Sequence, residues 1–310
     1  MDLNQPVLIC DQVNPILNEI LEKNGLQVTY EPEITPEQIA EKIGNFEVVI
    51  VRSRTKITKE LIEKANKCKI IARVGVGLDN VDQAAAKEKE IRVINAVEGA
   101  MNAVAELVIG LMLSLAREIP RADREVRNGN WIKKELMGSE LKGKYLGIVG
   151  LGNIGKRLGR LARSLNMNII GFDVVPIDEE FSKEVGLMKA DLDTLLTSSD
   201  YISLHVPLLD STKHMINAEK IASMKNTARI INTSRGGVID EKALADALKT
   251  GKLAGAALDV FEVEPATSNE LAALPNFIST PHIGAQTKEA QSLAANVIAE
   301  KIIQILRGVI

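Results

Sequence analysis

The sequence predicts an α/β fold built from two successive parallel-sheet series, and three observations carry that reading. Short β-branched runs alternate with helix-spaced apolar patterns from end to end, which implies right-handed βαβ units. The alternation is interrupted by one long apolar helix and starts again at Tyr145. The chain has 310 residues, too many for one ordinary domain and suited to two.

Val7-Leu8-Ile9 reads as a buried strand. Val13, Ile16, Leu17, Ile20 and Leu21 follow at helix spacing, and Gly25 stands where a helix stop is expected. Further strands are expected at 28–30, 48–51, 70–72 and 91–94, with short helices around Ile39 and Leu61. A long helix is expected over about 102–119, where Ala103, Leu107, Val108, Leu111, Met112 and Leu115 form a broad apolar face. Such a face needs partners on more than one side, as burial between domains or in a dimer would provide. Pro120 is expected to follow its end. The second series has strands at 146–149, 168–172, 201–205, 229–232, 254–259 and 277–280, and a closing helix over about 288–306.

Composition narrows the function. Apolar residues make up 45% of the chain but aromatics only 3%, so the cores are aliphatic. The net charge of −3 argues against nucleic acid as a partner, since phosphate backbones demand a basic excess. Cys10 and Cys68 lack metal-ligand or CxxC spacing and sit beside apolar runs, as buried free thiols of a reducing compartment do. No metal site is expected. No signal peptide is visible, and no unbroken run of about 18–20 apolar residues suggests a membrane span, so a cytoplasmic protein is expected.

Gly150-Leu151-Gly152-Asn153-Ile154-Gly155 matches G-x-G-x-x-G. Glycine is common, so context decides. A strand precedes the motif, a helix with Leu158, Leu161, Ala162 and Leu165 on one face follows, and the next strand ends at Asp173. That is a complete dinucleotide-binding unit with an acid at the expected distance. Gly150 permits the tight turn, Gly152 the approach of backbone N–H groups to a pyrophosphate, and Gly155 the packing of helix on strand. Asp173 would accept hydrogen bonds from ribose hydroxyls and repel a 2′-phosphate. No Arg or Lys follows it directly, so NAD is favoured over NADP.

Arg235, Glu264 and His282 each stand just past an expected strand end in the second series. Ligands in open α/β sheets bind at those ends. The three residue types fit oxidation of a 2-hydroxy acid. As hydride leaves Cα for a nicotinamide, a histidine takes the hydroxyl proton, a carboxylate fixes the imidazole, and a guanidinium fork holds the substrate carboxylate. His205 is expected to line the cofactor cleft or to pack structurally, and His214 to lie on the surface.

With these residues the chain resembles the D-isomer-specific 2-hydroxyacid dehydrogenase family. The matches run through Val51-Arg-Ser-Arg-Thr55, Arg73 to Asp82, Met137 to Leu141, the glycine motif, Asn232 to Gly237, Asp259 to Pro265 and Thr280 to Ala285. The resemblance implies two Rossmann-like doubly wound parallel-sheet domains with a cleft between them. The substrate domain would comprise 1–97 plus 286–310, and the NAD domain 98–285. It assigns the catalytic triad to Arg235, Glu264 and His282, the nicotinamide carboxamide to Asp259, and further cofactor contacts to Asn153, Ile154, Thr233, Ser234 and Gly284. Backbone N–H groups of the loop from Arg73 to Gly77, Val74 and Gly75 among them, would bind the substrate carboxylate, and the protein would be a homodimer. Val97 and Ala100 depart from the family pattern in their segment. The chain stops soon after its closing helix, so feedback through an appended serine-binding domain is not expected.

Arg52, Ser53 and Arg54 follow a strand end of the expected substrate domain. Two arginines there suit a phosphate, so a phosphorylated 2-hydroxy acid is the expected substrate. Lys133 and Lys134 could add positive charge. The competing readings are a reductase of an unphosphorylated 2-oxo acid such as glyoxylate or hydroxypyruvate, and an NAD-sensing corepressor without activity.

Overall fold

Each strand expected from the β-branched runs forms in the computed structural model, which describes residues 3–267 and 269–309. The chain divides into two units, Met1–Ala103 with Ala285–Ile310, and Val104–Gly284.

In the first unit β1 (Pro6–Ile9), β2 (Gln27–Tyr30), β3 (Val48–Val51), β4 (Ile70–Arg73) and β5 (Arg92–Asn95) make one parallel sheet of order β2-β1-β3-β4-β5. Helices α1 (Ile16–Lys23), α2 (Pro36–Lys42), α3 (Lys59–Lys64) and α4 (Gln83–Glu88) connect the strands. Side-chain alternation divides each strand between two cores. Val7, Ile9, Val48, Ile50 and Ile70 face one core, while Leu8, Val49, Val51 and Ile71 face the other. The chain reverses strand order between β1 and β3, and such switch points are where parallel sheets open a crevice.

A long helix, α5 (Val97–Arg117), leads into the second unit, followed by α6 (Ile119–Arg127). The sequence places this helix over 102–119. It begins earlier, at Val97, and ends where Glu118 turns left-handed (φ 48°), with Pro120 inside the first turn of α6 rather than beyond a helix end. Although no unbroken apolar run reaches spanning length, α5 carries an 18-residue window of mean hydropathy 1.7. Half of that window is buried. Ala105, Val108, Leu111, Met112 and Leu115 pack in one core with Leu146, Ile148, Leu158 and Ile231, so a core helix accounts for its composition.

The second sheet is β12-β11-β10-β9-β6-β7-β8, all parallel. Its strands are β6 (Tyr145–Val149), β7 (Asn168–Phe172), β8 (Met188–Lys189), β9 (Tyr201–Leu204), β10 (Arg229–Asn232), β11 (Gly255–Leu258) and β12 (Phe277–Ser279). Helices α7 (Asn153–Ser164), α8 (Glu179–Val185), α9 (Leu192–Ser198), α10 (Ala218–Ser223) and α11 (Glu241–Lys249) cover it. Taken from β6, the order is that of a dinucleotide-binding sheet, with its switch point between β6 and β9. The final helix, α12 (Lys288–Leu306), forms over the expected residues. Ala294, Ala295, Ile298 and Ile302 bury it in the first unit beside Leu17 and Leu21 of α1.

Candidate active site

The glycine motif lies between β6 and α7, and its geometry explains each glycine. Gly150 adopts φ 93°, and a Cβ there would stand 2.5 Å from the His205 carbonyl oxygen. A Cβ on Gly155 would stand 2.1 Å from the Gly150 carbonyl oxygen, so α7 packs on the turn only because that atom is missing. At Gly152, by contrast, a Cβ would meet nothing within 4 Å: its glycine leaves open space. Gly152 is the N-cap of α7 and no side chain caps it, so the exposed N-terminus, with Asn153 and Ile154 in its first turn, keeps its donors for an anion. Asp173, just past β7, accepts from Leu151 N–H at 2.6 Å and from Val175 N–H at 3.1 Å, which holds its carboxylate beside the glycine turn. On the other side of the switch point, buried Thr233 has an Oγ1 with no partner among the described residues. An orphaned buried hydroxyl is expensive unless a ligand completes it. Cradle, open helix end, acid and orphan hydroxyl together fit a dinucleotide.

His205, the residue after β9, is half-buried, and its Nε2 lies 2.9 Å from Ser203 Oγ. Desolvation pushes its pKa down to about 4, so it is neutral at physiological pH and unsuited to carrying a proton there.

The residues expected to act in acid–base chemistry come together. β10, β11 and β12 are adjacent and parallel, so the loops after them share one edge of the sheet. His282 Nδ1 lies 2.9 Å from Glu264 Oε2, and Glu264 Oε1 accepts from Phe261 N–H at 3.1 Å. Both side chains keep access to solvent, at 52% for His282 and 39% for Glu264. Arg235 stands on the neighbouring loop. Asn232 braces that loop by donating to the Arg235 carbonyl at 2.8 Å and accepting from Ser234 N–H and Oγ–H. The Arg235 and Glu264 loops are in backbone contact, since a Cβ on Gly236 would stand 1.8 Å from the Phe261 carbonyl oxygen.

Asp259 carries more of this edge than a cofactor contact alone requires. It is 1% exposed and accepts from Thr280 Oγ1–H (2.6 Å), Ile283 N–H (2.8 Å) and Gly284 N–H (2.9 Å). Its carbonyl also accepts from His282 N–H, and His282 itself is left-handed at φ 52°. One buried carboxylate therefore shapes the turn that presents the imidazole.

His214 lies on the surface, as expected, but it has a partner there. Its Nε2 lies 3.1 Å from Glu262 Oε1, in the same loop as Glu264. Glu262 also accepts from Glu241 N–H at the start of α11, and Glu262 N–H donates back to Glu241 Oε1 at 2.6 Å. Spacing gave no signal for this clamp, because its members lie far apart in the chain.

In the first unit the structure separates the two arginines that the sequence pairs. Asp11, just past β1 and 2% exposed, accepts from Arg52 N–H at 2.5 Å, Thr55 N–H at 3.2 Å and Thr55 Oγ1–H at 2.6 Å. It also pairs with Arg54 Nε at 3.2 Å. Arg54 spends its other nitrogens on the Ile34 and Cys10 carbonyls. Arg54 also lines a cavity of about 520 Å³ between α2 and α3, which Arg52 does not. Arg52 instead sends Nη2 to Gln286 Oε1 at 2.7 Å, and Ser53 is exposed. In the loop after β4, Val74 N–H and Gly75 N–H already donate to the Val51 and Arg73 carbonyls, both at 2.9 Å. The following N–H groups, of Val76 and Gly77, have no such bond among the described residues. Cys10 and Cys68 are buried and unbridged, and burial pushes both thiols up to about 12.

Residues 109–284 match the family model described as D-isomer specific 2-hydroxyacid dehydrogenase, NAD binding domain. Across 303 residues the chain is 47% identical to a D-3-phosphoglycerate dehydrogenase of Methanocaldococcus jannaschii, covering 97% of this chain and 57% of that one. It is 46% identical across 290 residues to a hydroxypyruvate reductase of Thermotoga maritima, covering 93% of each. The chain thus spans little more than half of the first relative and nearly all of the second. Among solved structures, D-lactate dehydrogenase of Aquifex aeolicus complexed with NAD and lactic acid superposes with a TM-score of 0.84 at 30% identity, covering 98% of this chain and 96% of that one. The chain belongs to the D-isomer-specific 2-hydroxyacid dehydrogenase family, and residues 109–284 are its NAD-binding domain.

Proposed function

We propose that this chain oxidises D-3-phosphoglycerate to 3-phosphohydroxypyruvate with NAD, the first step of L-serine synthesis. The observation that carries the chemistry is the 2.9 Å His282–Glu264 pair beside the Arg235 loop, on the sheet that also holds the glycine cradle. When bound, NAD supplies the hydride acceptor at Cα. His282 Nε2 takes the substrate hydroxyl proton, so the C–H pair leaves as hydride and the O–H proton stays on the imidazole. Glu264 accepts from Nδ1–H, fixing the tautomer and balancing the charge that forms. Arg235 would hold the substrate carboxylate. Gly150, Gly152, Asn153, Ile154 and Gly155 would hold the pyrophosphate, Asp173 the adenosine ribose, and Thr233 and Ser234 the nicotinamide half. Asp259 would orient the carboxamide with whatever acceptor capacity its turn leaves. Arg52 would bind the phosphate tail.

Relatives named D-3-phosphoglycerate dehydrogenase support this substrate. One observation favours a second reading, reduction of hydroxypyruvate: a relative 46% identical over 290 residues bears the name hydroxypyruvate reductase. The discriminating assay follows NADH with D-3-phosphoglycerate, D-glycerate and D-lactate, trapping the oxo acid because oxidation runs uphill. Preference for the phosphorylated acid supports the first reading, and equal or better rates with D-glycerate would replace it with the second.

We further propose a cytoplasmic homodimer. Unbridged buried thiols suit a reducing compartment. Trp131 and Met137 are 82% and 89% exposed, and Leu113, Ile119 and Val126 are exposed nearby on α5 and α6. The Arg121–Glu135 ion pair folds the 131–137 segment back along α6. Apolar side chains so grouped and so open mark a protein interface. Sedimentation equilibrium of the purified protein tests this, and a monomer at micromolar concentration would overturn it.

A further inference from the structure

We propose that Gln286 is a specificity-determining residue that makes the Arg52 site a receptor for an oxyanion tail rather than a bare cation. The inference rests on the reading of Arg52 as the tail-binding residue.

The backbone of Arg52 is held from three sides. Its N–H donates to Asp11 Oδ2 at 2.5 Å, and its carbonyl accepts from Asn80 Nδ2 at 2.8 Å and Arg73 Nε at 3.4 Å. The guanidinium therefore starts from a fixed point, and its Nη2 ends on Gln286 Oε1 at 2.7 Å. Gln286 Oε1 also accepts from Gln291 Nε2, in the first turn of α12.

The orientation of this amide is chemically enforced. A guanidinium is donor-only, so the group facing Arg52 must be the oxygen, and the Gln291 NH₂ then turns to the same oxygen. With the oxygen serving both neighbours, the Gln286 NH₂ is left over, and it has no partner among the described residues. The site thus offers a fixed cation with remaining guanidinium donors and, one hydrogen bond away, two amide donors. A phosphate monoester brings three charged oxygens to these donors, while a hydroxymethyl tail brings one uncharged oxygen and gains much less from them. Gln286 steadies Arg52 and widens the donor surface at the same time.

The test compares kcat/KM for D-3-phosphoglycerate with that for D-glycerate in the wild type, Gln286→Glu and Gln286→Leu, with thermal unfolding as a check on the fold. Gln286→Glu replaces the amide donors by a carboxylate that claims Arg52, and the ratio should fall about 100-fold or more. Gln286→Leu removes donors and acceptor without adding charge and should lower the ratio about tenfold, both figures reflecting one or two charge-assisted hydrogen bonds. A purely structural role would move both substrates alike and leave the ratio unchanged. If the wild type prefers D-3-phosphoglycerate and the variants keep its ratio, the role of Gln286 is overturned and the Arg52 reading survives. If the wild type shows no preference, the tail site itself is wrong, and this proposal falls with it.

Discussion

Replacing Glu264 gives the sharpest test of the acid–base pair, because its two oxygens have separate jobs. Oε2 meets His282 Nδ1 at 2.9 Å, and Oε1 takes Phe261 N–H at 3.1 Å. A hydrogen bond to a charged group contributes about 1.5–3 kcal/mol, which corresponds to roughly 10- to 150-fold in rate when it stabilises the charge formed in the transition state. The 39% exposure of Glu264 argues for the lower half of that range, since solvent screens the pair. Glu264→Ala should therefore lose about 10- to 50-fold in kcat. Glu264→Gln is the informative variant. Its single oxygen can serve the imidazole or Phe261 N–H, not both, and the bond it keeps is neutral, about half as strong. Its loss should be smaller than that of the alanine variant but clearly measurable, with an unfolding midpoint near wild type. Initial rates of NADH formation at saturating NAD read kcat directly. If Glu264→Ala turns over at the wild-type rate, His282 needs no carboxylate partner and the assignment of the pair is wrong.

Four other outcomes follow from the same geometry. Gly236→Ala would force a Cβ against the Phe261 carbonyl, parting the Arg235 and Glu264 loops; a misplacement of that size costs about 10²-fold in kcat/KM, and wild-type activity would refute the contact. Asp259→Asn sets an amide NH₂ against one of three donors, leaving a buried N–H unpaired at a cost of about 1–3 kcal/mol in urea unfolding; an unshifted midpoint would show that the turn does not depend on the carboxylate. His205 has its pKa depressed from 6.5 to about 4, so the unfolded chain binds more protons between those values and stability is lost as pH falls through that window. The contribution is on the order of 3 kcal/mol, and His205→Gln should flatten the acid limb of stability against pH; an unchanged limb would place the acid sensitivity elsewhere. Finally, Arg54→Ala should cost about 2 kcal/mol of stability by leaving buried Asp11 without its cation, discounted because Arg54 is 46% exposed, whereas Arg52→Ala should cost substrate preference and little stability; the reverse pattern would undo the separation of the two arginines.

Central strands such as β3, β4 and β10 were legible as short, β-branched runs that are mostly buried, and the proposed catalytic residues because each follows a strand. The β8 strand escaped because Met188–Lys189 is a two-residue edge with no period to read. Helices α8 to α11 escaped for a different reason. They are short and partly polar, and their starts are set by side-chain caps at Asp178, Asp191, Asn217 and Asp240 rather than by an apolar stripe. The early start of α5 follows from Gly99, which lies against Ala294 of α12 so closely that a Cβ would stand 2.8 Å away. A glycine that weakens a helix locally is here what lets two helices meet, and that is a tertiary fact.

The arginine pair shows what spacing cannot decide. Arg52 and Arg54 are the same residue type, two apart, after the same strand, and nothing local distinguishes them. What separates them is Asp11, forty-one positions from Arg52, whose buried carboxylate fills the switch point between β1 and β3. A carboxylate there needs a cation and several N–H donors, and the geometry lets only Arg54 supply the cation while Arg52 supplies its backbone. A strand-end acid is a visible sequence feature, and Val7-Leu8-Ile9-Cys10-Asp11 carries one. Read with the switch-point rule, it predicts that one of any two nearby cations is committed to the fold. Which one is committed is decided by the direction of the chain after β3, and only the structure supplies that.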